Sequence, residues 1–357
     1  MAQTAEVDSP SPSTEPSYTP DPNTIKAASS ESTDVEKDGS EKAPGSSALE
    51  VATVTEAKSL HFIMTIIFLC MVSAVGSMDS VIVAMCLSSI SEDIGTTSVE
   101  SFWLGTGFLL TQTVTIPIYG TLSDIFGRKP MVLIGVGTFF AASILCATAQ
   151  NATWLIAARA VQGLGAGGLI SLCQVIISDI TTMQERGKYI TFAAFAWAVG
   201  IFLGVPMGGL IAEYTTWRWV FWINLPPCGI AILGLWWSLH LQTDTSSFRS
   251  KLARVDYLGL ILFTGASCSL LIGITCGGTV NPWNSASTIV PIILSAVLYA
   301  AFIVVESKLA VSPMIPLRIF QDRTANSAYI GAFFHGMIVW CFSYYIIVFV
   351  RLFSYTN

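Results

Sequence analysis

Charge is what this chain has least of. Asp, Glu, Lys and Arg together make up 11% of 357 residues, while 53% are hydrophobic. A soluble domain carries roughly 25% charged residues, so the polar shell that a water-soluble fold of this size requires is missing. Paired cysteine motifs are missing too. The eight cysteines (Cys70, Cys86, Cys146, Cys173, Cys228, Cys268, Cys276 and Cys341) form no Cys-x-x-Cys pair and sit in apolar runs. That excludes a zinc site or a disulfide framework and makes them small core hydrophobes. No Gly-Lys-Ser/Thr phosphate loop, metal-ligand cluster or hydrolase elbow occurs. The chain is therefore not expected to be an enzyme, to hold a cofactor or metal, or to take ATP or nucleic acid as partners.

What remains divides sharply. Residues 1–57 are crowded with Ser, Thr, Pro, Glu and Asp. Such a segment buries too little apolar surface to offset the entropy of ordering it, and is expected to be a disordered tail. It lacks the short apolar core and cleavage site of a signal peptide. Beyond it the chain is apolar. A bilayer core of about 30 Å needs about 20 apolar residues as a helix, and that rule predicts nine spans, near 62–88, 102–122, 131–149, 154–177, 189–212, 219–240, 256–276, 288–306 and 327–350. The runs are long and do not alternate, so helices fit and barrel strands do not.

The basic residues orient this array. The connections after the even-numbered spans hold Arg128, Lys129, Arg186, Lys188, Arg249, Lys251, Arg254, Lys308, Arg318 and Arg323; the others hold Arg218 alone. The positive-inside rule assigns the basic side, and the N-terminal tail with it, to the cytoplasm. Trp103, Trp154, Trp217, Trp219 and Trp283 fall near the opposite interface and are read as belt anchors. The sequon Asn151-Ala152-Thr153 hugs that interface and is not expected to carry a glycan.

Within the spans, few residues can do chemistry. Asp79 is the only acidic residue between Glu56 and Glu92. An ionisable group at such depth costs at least about 2.5–3.5 kcal/mol, so it must face the bundle interior, find a partner or take up a proton. Arg159 is the expected partner, because both residues fall in the outer half of the bilayer when counted at about 1.5 Å per residue. A neighbouring guanidinium favours an ionised carboxylate and apolar burial favours a neutral one; a change in that balance would let the site bind and release a proton. Purely structural pairing of Asp79 and interfacial snorkelling of Arg159 are the alternatives. Gly200, Gly204 and Gly208 recur every four residues, as do Gly163 and Gly167, and so share helix faces on which backbones can approach closely in lipid. Pro206 should loosen or kink its helix. Asp179, Glu185 and Arg186 read as solvated interfacial pairing. His335 is either a titrating group or a hydrogen-bonded packing residue.

The second and third spans are joined by Gly120-Thr121-Leu122-Ser123-Asp124-Ile125-Phe126-Gly127-Arg128-Lys129-Pro130. The glycines permit a tight turn, and Asp124 can pair with Arg128 or Lys129. The plain reading is a basic turn anchoring two helices. The whole pattern, however, resembles the signature loop of the major facilitator superfamily, and three further segments follow in order. Met78-Asp79-Ser80-Val81-Ile82-Val83 through Ile90 resembles the first-helix motif of the fourteen-span drug:proton antiporters, with Val81 and Ser88 where that motif has threonine and proline. Arg159-Ala160-Val161-Gln162-Gly163-Leu164-Gly165 is similar to the fourth-helix motif. Gly204-Val205-Pro206-Met207-Gly208-Gly209 resembles the fifth-helix motif, its proline one place late. Trp217 to Pro226, Val255 to Gly259 and Ile315 to Trp340 add to a likeness with fungal members of that group, over roughly residues 60–345.

The resemblance implies an all-α polytopic membrane protein of the major facilitator fold, with a six-helix N-terminal bundle (58–241), a cytoplasmic loop and two inserted helices (242–306), and the start of a C-terminal bundle (307–357). About five helices of the second half would lie beyond residue 357, so the chain is expected to be C-terminally truncated. It further implies proton-coupled, alternating-access efflux of hydrophobic small molecules such as drugs, toxins or secondary metabolites. Asp79 and Arg159 would couple protons, and Gly120, Asp124, Gly127, Arg128 and Lys129 would form a cytoplasmic gating loop. Gly163, Gly167, Gly200, Gly204, Pro206, Gly208 and Gly209 would pack and rock the helices. The expected partners are the lipid bilayer, the cargo and protons, in the plasma membrane or alternatively the vacuolar membrane. A siderophore or other organic-solute importer and a non-transporting fragment or receptor are the alternatives.

Overall fold

The computed structural model describes residues 59–241, 248–308, 314–315 and 317–356. The tail at 1–57 and the loop residues 242–247 lie outside these, so the expectation of a disordered tail is not addressed. The described chain is helical: α1 (Leu60–Ile94), α2 (Ser98–Phe126), α3 (Arg128–Ala147), α4 (Ala152–Ile180), α5 (Arg186–Tyr214), α6 (Trp219–Trp222), α7 (Leu225–Ser238), α8 (Phe248–Ala253), α9 (Tyr257–Cys276), α10 (Ala286–Lys308), a 3-10 turn (Leu317–Phe320) and α11 (Arg323–Thr356). Eight of the nine predicted spans each fall on one helix, and the sixth falls on two. Among the described residues, seven stretches are long and apolar enough to cross a membrane, Trp219–Ser238 counting as one. α2 and α11, the second and ninth predicted spans, are not among them; in α2, threonine, serine and glutamine dilute the apolar run.

The helix ends follow from local chemistry. α1 stops at Gly95, whose φ of 71° is left-handed, and its N–H returns to the Ser91 carbonyl. Two residues later Thr97 opens α2 with a capping box: its hydroxyl accepts from the Glu100 N–H while the Glu100 carboxylate accepts from the Thr97 N–H. The two helices can therefore reverse within three residues, since both sets of end groups are satisfied. Gly127 alone, at φ 100°, makes the turn from α2 to α3, a conformation costly for any side chain with a Cβ. Asn151 opens α4, its side-chain oxygen accepting from the Trp154 N–H at 2.8 Å.

The sixth predicted span is not one helix. It breaks at Ile223 and Asn224 into α6 and α7. Pro226 and Pro227 lack the N–H groups that would bond the carbonyls of Trp222 and Ile223, and proline is tolerated only in a helix's first turn. In contrast, Pro206 sits inside α5 without ending it.

α1 packs on α5, α2 on α4, α3 on α4, and α7 lies against α1 and α3; α9 pairs with α10 and touches α2. In its most apolar stretch α1 is 67% buried and α5 17% buried, so α1 lies inside the bundle while α5 shows one narrow face to it. Trp217 departs from the expected belt position. It is 3% exposed, packed on Phe221, and its indole N–H donates to Asp93 at 2.9 Å. Trp219 and Trp283 are exposed as expected. Cys341 is exposed, unlike its five buried counterparts, and His335 is exposed on α11.

Candidate functional site

Asp79 on α1 and Arg159 on α4 meet. The guanidinium Nη1 lies 2.5 Å from Asp79 Oδ2, and the two side chains are 0% and 1% exposed. Neither side chain reaches solvent, so every polar atom needs a protein partner. Arg159 also donates from Nη1 to Gln162 Oε1 at 2.8 Å and from Nε to the Leu104 carbonyl at 3.4 Å. Its guanidinium carbon stacks 4.0 Å from the centroid of Phe108, a favourable face for a desolvated cation.

Three donors converge on the carboxylate. Besides Arg159, Gln162 Nε2 reaches Asp79 Oδ1 at 3.2 Å and Asn224 Nδ2 reaches it at 2.7 Å. Gln162 Nε2 also donates to Ser143 on α3 at 2.9 Å. α1, α3, α4 and the α6–α7 break therefore share one polar knot inside apolar walls. Sequence reasoning quoted Gln162 and Asn224 within motifs but missed their place here, and missed Ser143 altogether. The available signal for Asn224 was its position two residues before a proline pair in an apolar helix, where an amide side chain can bond across the break.

At the other end, Gly127 makes the turn between α2 and α3, and Arg128 is the hub. Its Nη1 pairs with Asp124 at 2.5 Å and its Nε with Asp179 of α4 at 2.8 Å, and it also donates to Ser123. Asp179 is thus tied to this loop. Lys129 does not pair with Asp124; it donates to the Trp236 carbonyl at 2.7 Å. Gly120 is not in the turn but inside α2, where an added Cβ would meet nothing within 4 Å. The Arg128 pairs are solvent-exposed, Asp124 at 65% and Asp179 at 39%, and exposed pairs contribute little. Arg128→Gln should therefore cost at most about 1 kcal/mol, as read from thermal unfolding in detergent; a larger loss would show that the loop bears on stability more than its exposure allows.

The glycine faces sit where backbones cross. A Cβ on Gly200 would fall 2.2 Å from the Ala74 carbonyl, on Gly204 2.9 Å from that of Met78, and on Gly208 2.7 Å from that of Ile82, all on α1. Gly163 and Gly167 meet α2 in the same way, at the carbonyls of Phe108 (2.4 Å) and Gln112 (2.7 Å). Gly165, not singled out from sequence, meets the Phe139 backbone nitrogen of α3 at 2.6 Å. Gly209 packs against nothing within 4 Å; it is turned about 100° round the helix from Gly208, away from α1.

Beside these helices lies a cavity of about 590 Å³ lined by Gln112, Thr113, Gln174, Trp197 and Trp340 among apolar neighbours such as Leu109 and Ile170. Trp197 and Trp340 meet edge to face at 6.3 Å. The lining has no charged side chain among the described residues.

Known proteins resemble this chain in sequence. "MFS transporter L2" of Phoma sp. is 38% identical over 285 residues, 80% of this chain and 48% of that protein. "Efflux pump dotC" of Dothistroma septosporum is 36% identical over 302 residues, 85% and 50% of the two chains. "MFS efflux transporter aclA" of Aspergillus oryzae is 34% identical over 300 residues, 83% and 54%. The chain thus spans about half the length of the curated relatives it matches. Among solved structures, a peptide transporter POT aligns over 70% of this chain and 52% of that one at 16% identity and a TM-score of 0.49. The family model described as Major Facilitator Superfamily matches residues 67–356. With helices long and apolar enough to cross a membrane seven times and a match over most of its length, this multi-pass membrane protein belongs to the Major Facilitator Superfamily of transporters.

Proposed function

We propose that this chain supplies the first bundle and the adjoining helices of a proton-coupled exporter of neutral, hydrophobic small molecules, such as drugs, toxins or secondary metabolites. The observation that carries the reading is the Asp79–Arg159 pair, wholly buried in a bundle that also holds a cavity of uncharged lining. A buried ion pair is weak as a device for stability, because desolvation offsets its attraction; as a device for protons it has a purpose. When the helices rearrange so that Arg159 withdraws, a lone carboxylate in apolar surroundings is better neutral, and it takes a proton from the aqueous side it then faces. Return of the guanidinium expels that proton. Alternating access supplies the opposite faces, and narrow glycine contacts let α1 and α5, and α2 and α4, move as packed pairs.

The cavity favours the cargo assigned. Apolar and aromatic walls take up hydrophobic surface, and glutamine and threonine side chains offer hydrogen bonds without charge. This speaks against a charged siderophore as the cargo. The names of the relatives, efflux pumps among them, support export. The Asp124–Arg128–Asp179 ties, cheap to break, suit a cytoplasmic latch that opens once per cycle. The excess of basic residues on the connections after even-numbered spans supports a cytoplasmic N-terminus, in the plasma or vacuolar membrane.

The test is Asp79→Asn in the full-length protein, reconstituted in vesicles with an imposed pH gradient. Gradient-driven transport of a neutral hydrophobic dye should fall at least about tenfold, about 1.4 kcal/mol of barrier. Cargo exchange without a gradient should persist. Proton-dependent transport at the level of the unmodified protein would sink the reading. No transport by the unmodified protein, in vesicles or as resistance in a pump-deficient host, would favour a receptor or an inactive fragment.

A further inference from the structure

Asn224 is fully buried, and its two amide ends are treated differently. Nδ2 donates to Asp79 Oδ1 at 2.7 Å, while Oδ1 is buried without any hydrogen-bond partner. An orphaned acceptor in such a place is unfavourable, and a residue that served only to brace the α6–α7 break would not need it. Asp79 itself explains it.

As a carboxylate, Asp79 needs donors and has three of them, from Arg159, Gln162 and Asn224. As a carboxylic acid it presents a new O–H, which needs an acceptor. The neighbours can scarcely provide one. A guanidinium has none. Gln162 Oε1 already accepts from Arg159 at 2.8 Å and from the Cys146 thiol at 3.4 Å. Ser143 Oγ already accepts from Gln162 and donates to the Phe139 carbonyl, and the Leu104 carbonyl takes Arg159 Nε. The one acceptor in this group without a donor is Asn224 Oδ1. Rotating the amide about its Cβ–Cγ bond exchanges Oδ1 and Nδ2 and loses no existing bond on Oδ1.

We infer that Asn224 is a positioning residue that keeps Asp79 hydrogen-bonded in both of its protonation states, donating through Nδ2 to the carboxylate and, after amide rotation, accepting the carboxylic O–H on Oδ1. The proton that forms the O–H comes from water and returns to water when the bond breaks; Asn224 gains and loses none. The ionisable groups near Asp79 are Arg159 from α4, Cys146 from α3 and Cys228 from α7; the guanidinium accepts nothing, and a thiol both donates and accepts only weakly, unlike the amide. The inference rests on the reading that Asp79 takes up a proton, and adds the device that makes the two states comparable in energy.

Infrared difference spectroscopy of the purified protein in lipid nanodiscs, stepped from high to low pH, tests it. A carboxylic C=O band that Asp79→Asn removes should appear in the unmodified protein, and asparagine carrying a 13C-labelled side-chain carbonyl should shift an amide band in the same difference spectrum. Asn224→Ala should move the carboxylic band to the higher frequency of an acid lacking a hydrogen-bond acceptor. Asn224→Ser, whose hydroxyl can both donate and accept, should move it back toward the original position. An Asp79 band unchanged by Asn224→Ala, or present with no asparagine amide component, overturns the inference and leaves the proton site standing. Absence of any band that Asp79→Asn removes overturns both. The isotope measurement uses the unsubstituted chain, so the outcome does not depend on a variant folding.

Discussion

Arg159→Met should destabilise the folded protein by about 3–5 kcal/mol, the cost typical of breaking a buried ion pair by removing one partner. The variant leaves Asp79 at 0% exposure with two amide donors and no countercharge, and strips the cation from the face of Phe108 at 4.0 Å. Arg159→Lys should recover little. An ammonium cannot reproduce the planar fork that reaches Asp79, Gln162 and the Leu104 carbonyl together. The double variant Asp79→Leu with Arg159→Met removes both charges, and should lie within about 1 kcal/mol of the unmodified protein or above it, because apolar replacement of a whole buried pair is often neutral or stabilising. Unfolding midpoints in a mild detergent, across the two singles and the double, measure the cycle. A single variant as stable as the parent would mean that water reaches the pair, and the site would lose its basis as a dry proton switch. The double variant should also be folded yet incapable of gradient-driven transport, which separates what the pair does for the fold from what it does for protons.

Gly200→Ala is the second large effect. Its Cβ would be built 2.2 Å from the Ala74 carbonyl and 2.1 Å from Ser77 Oγ. The serine hydroxyl can turn away, but the carbonyl belongs to the backbone of α1, and only separation of the helices makes room. Overpacking of this kind costs about 1–3 kcal/mol, and in lipid, where apolar surface gains little by pairing, close packing is the main attraction between helices. Separation would also stretch the bond from Ser77 Oγ to the Trp197 carbonyl, now 2.8 Å, which ties the same two helices. Gly209→Ala supplies the control. It adds the same methyl on the same helix where nothing lies within 4 Å, and should change stability by less than about 0.5 kcal/mol. Equal effects at the two positions would show that the α1–α5 crossing is looser than its geometry.

The glycine pattern shows how far sequence reasoning reaches. A four-residue repeat establishes that Gly200, Gly204 and Gly208 share a face, because helical periodicity is local. It does not say what that face meets. Gly209 was grouped with them by motif likeness, and geometry parts it from them. Gly120 was grouped with the turn for the same reason, and lies within α2. Lys129 and Arg128 are adjacent and alike in charge, so composition cannot assign their partners. The helical turn points Arg128 at Asp124 and Asp179, and Lys129 at a carbonyl of α7. The break at Asn224 was readable in principle from Pro226 and Pro227, but an apolar run of spanning length masked it.

The sequence alone determined that this chain crosses the membrane repeatedly as helices, which connections carry the basic charge, and that Asp79 needed a partner. These follow from counts and periods along the chain, since the cost of placing a polar group in lipid depends on the residue and its depth. Only the tertiary structure decided which side chains complete the site. Asn224 meets Asp79 across 145 residues of chain, and no local rule reports a contact between segments that far apart, because it is the crossing of helices α1, α4 and α7 that brings their polar groups within bonding distance.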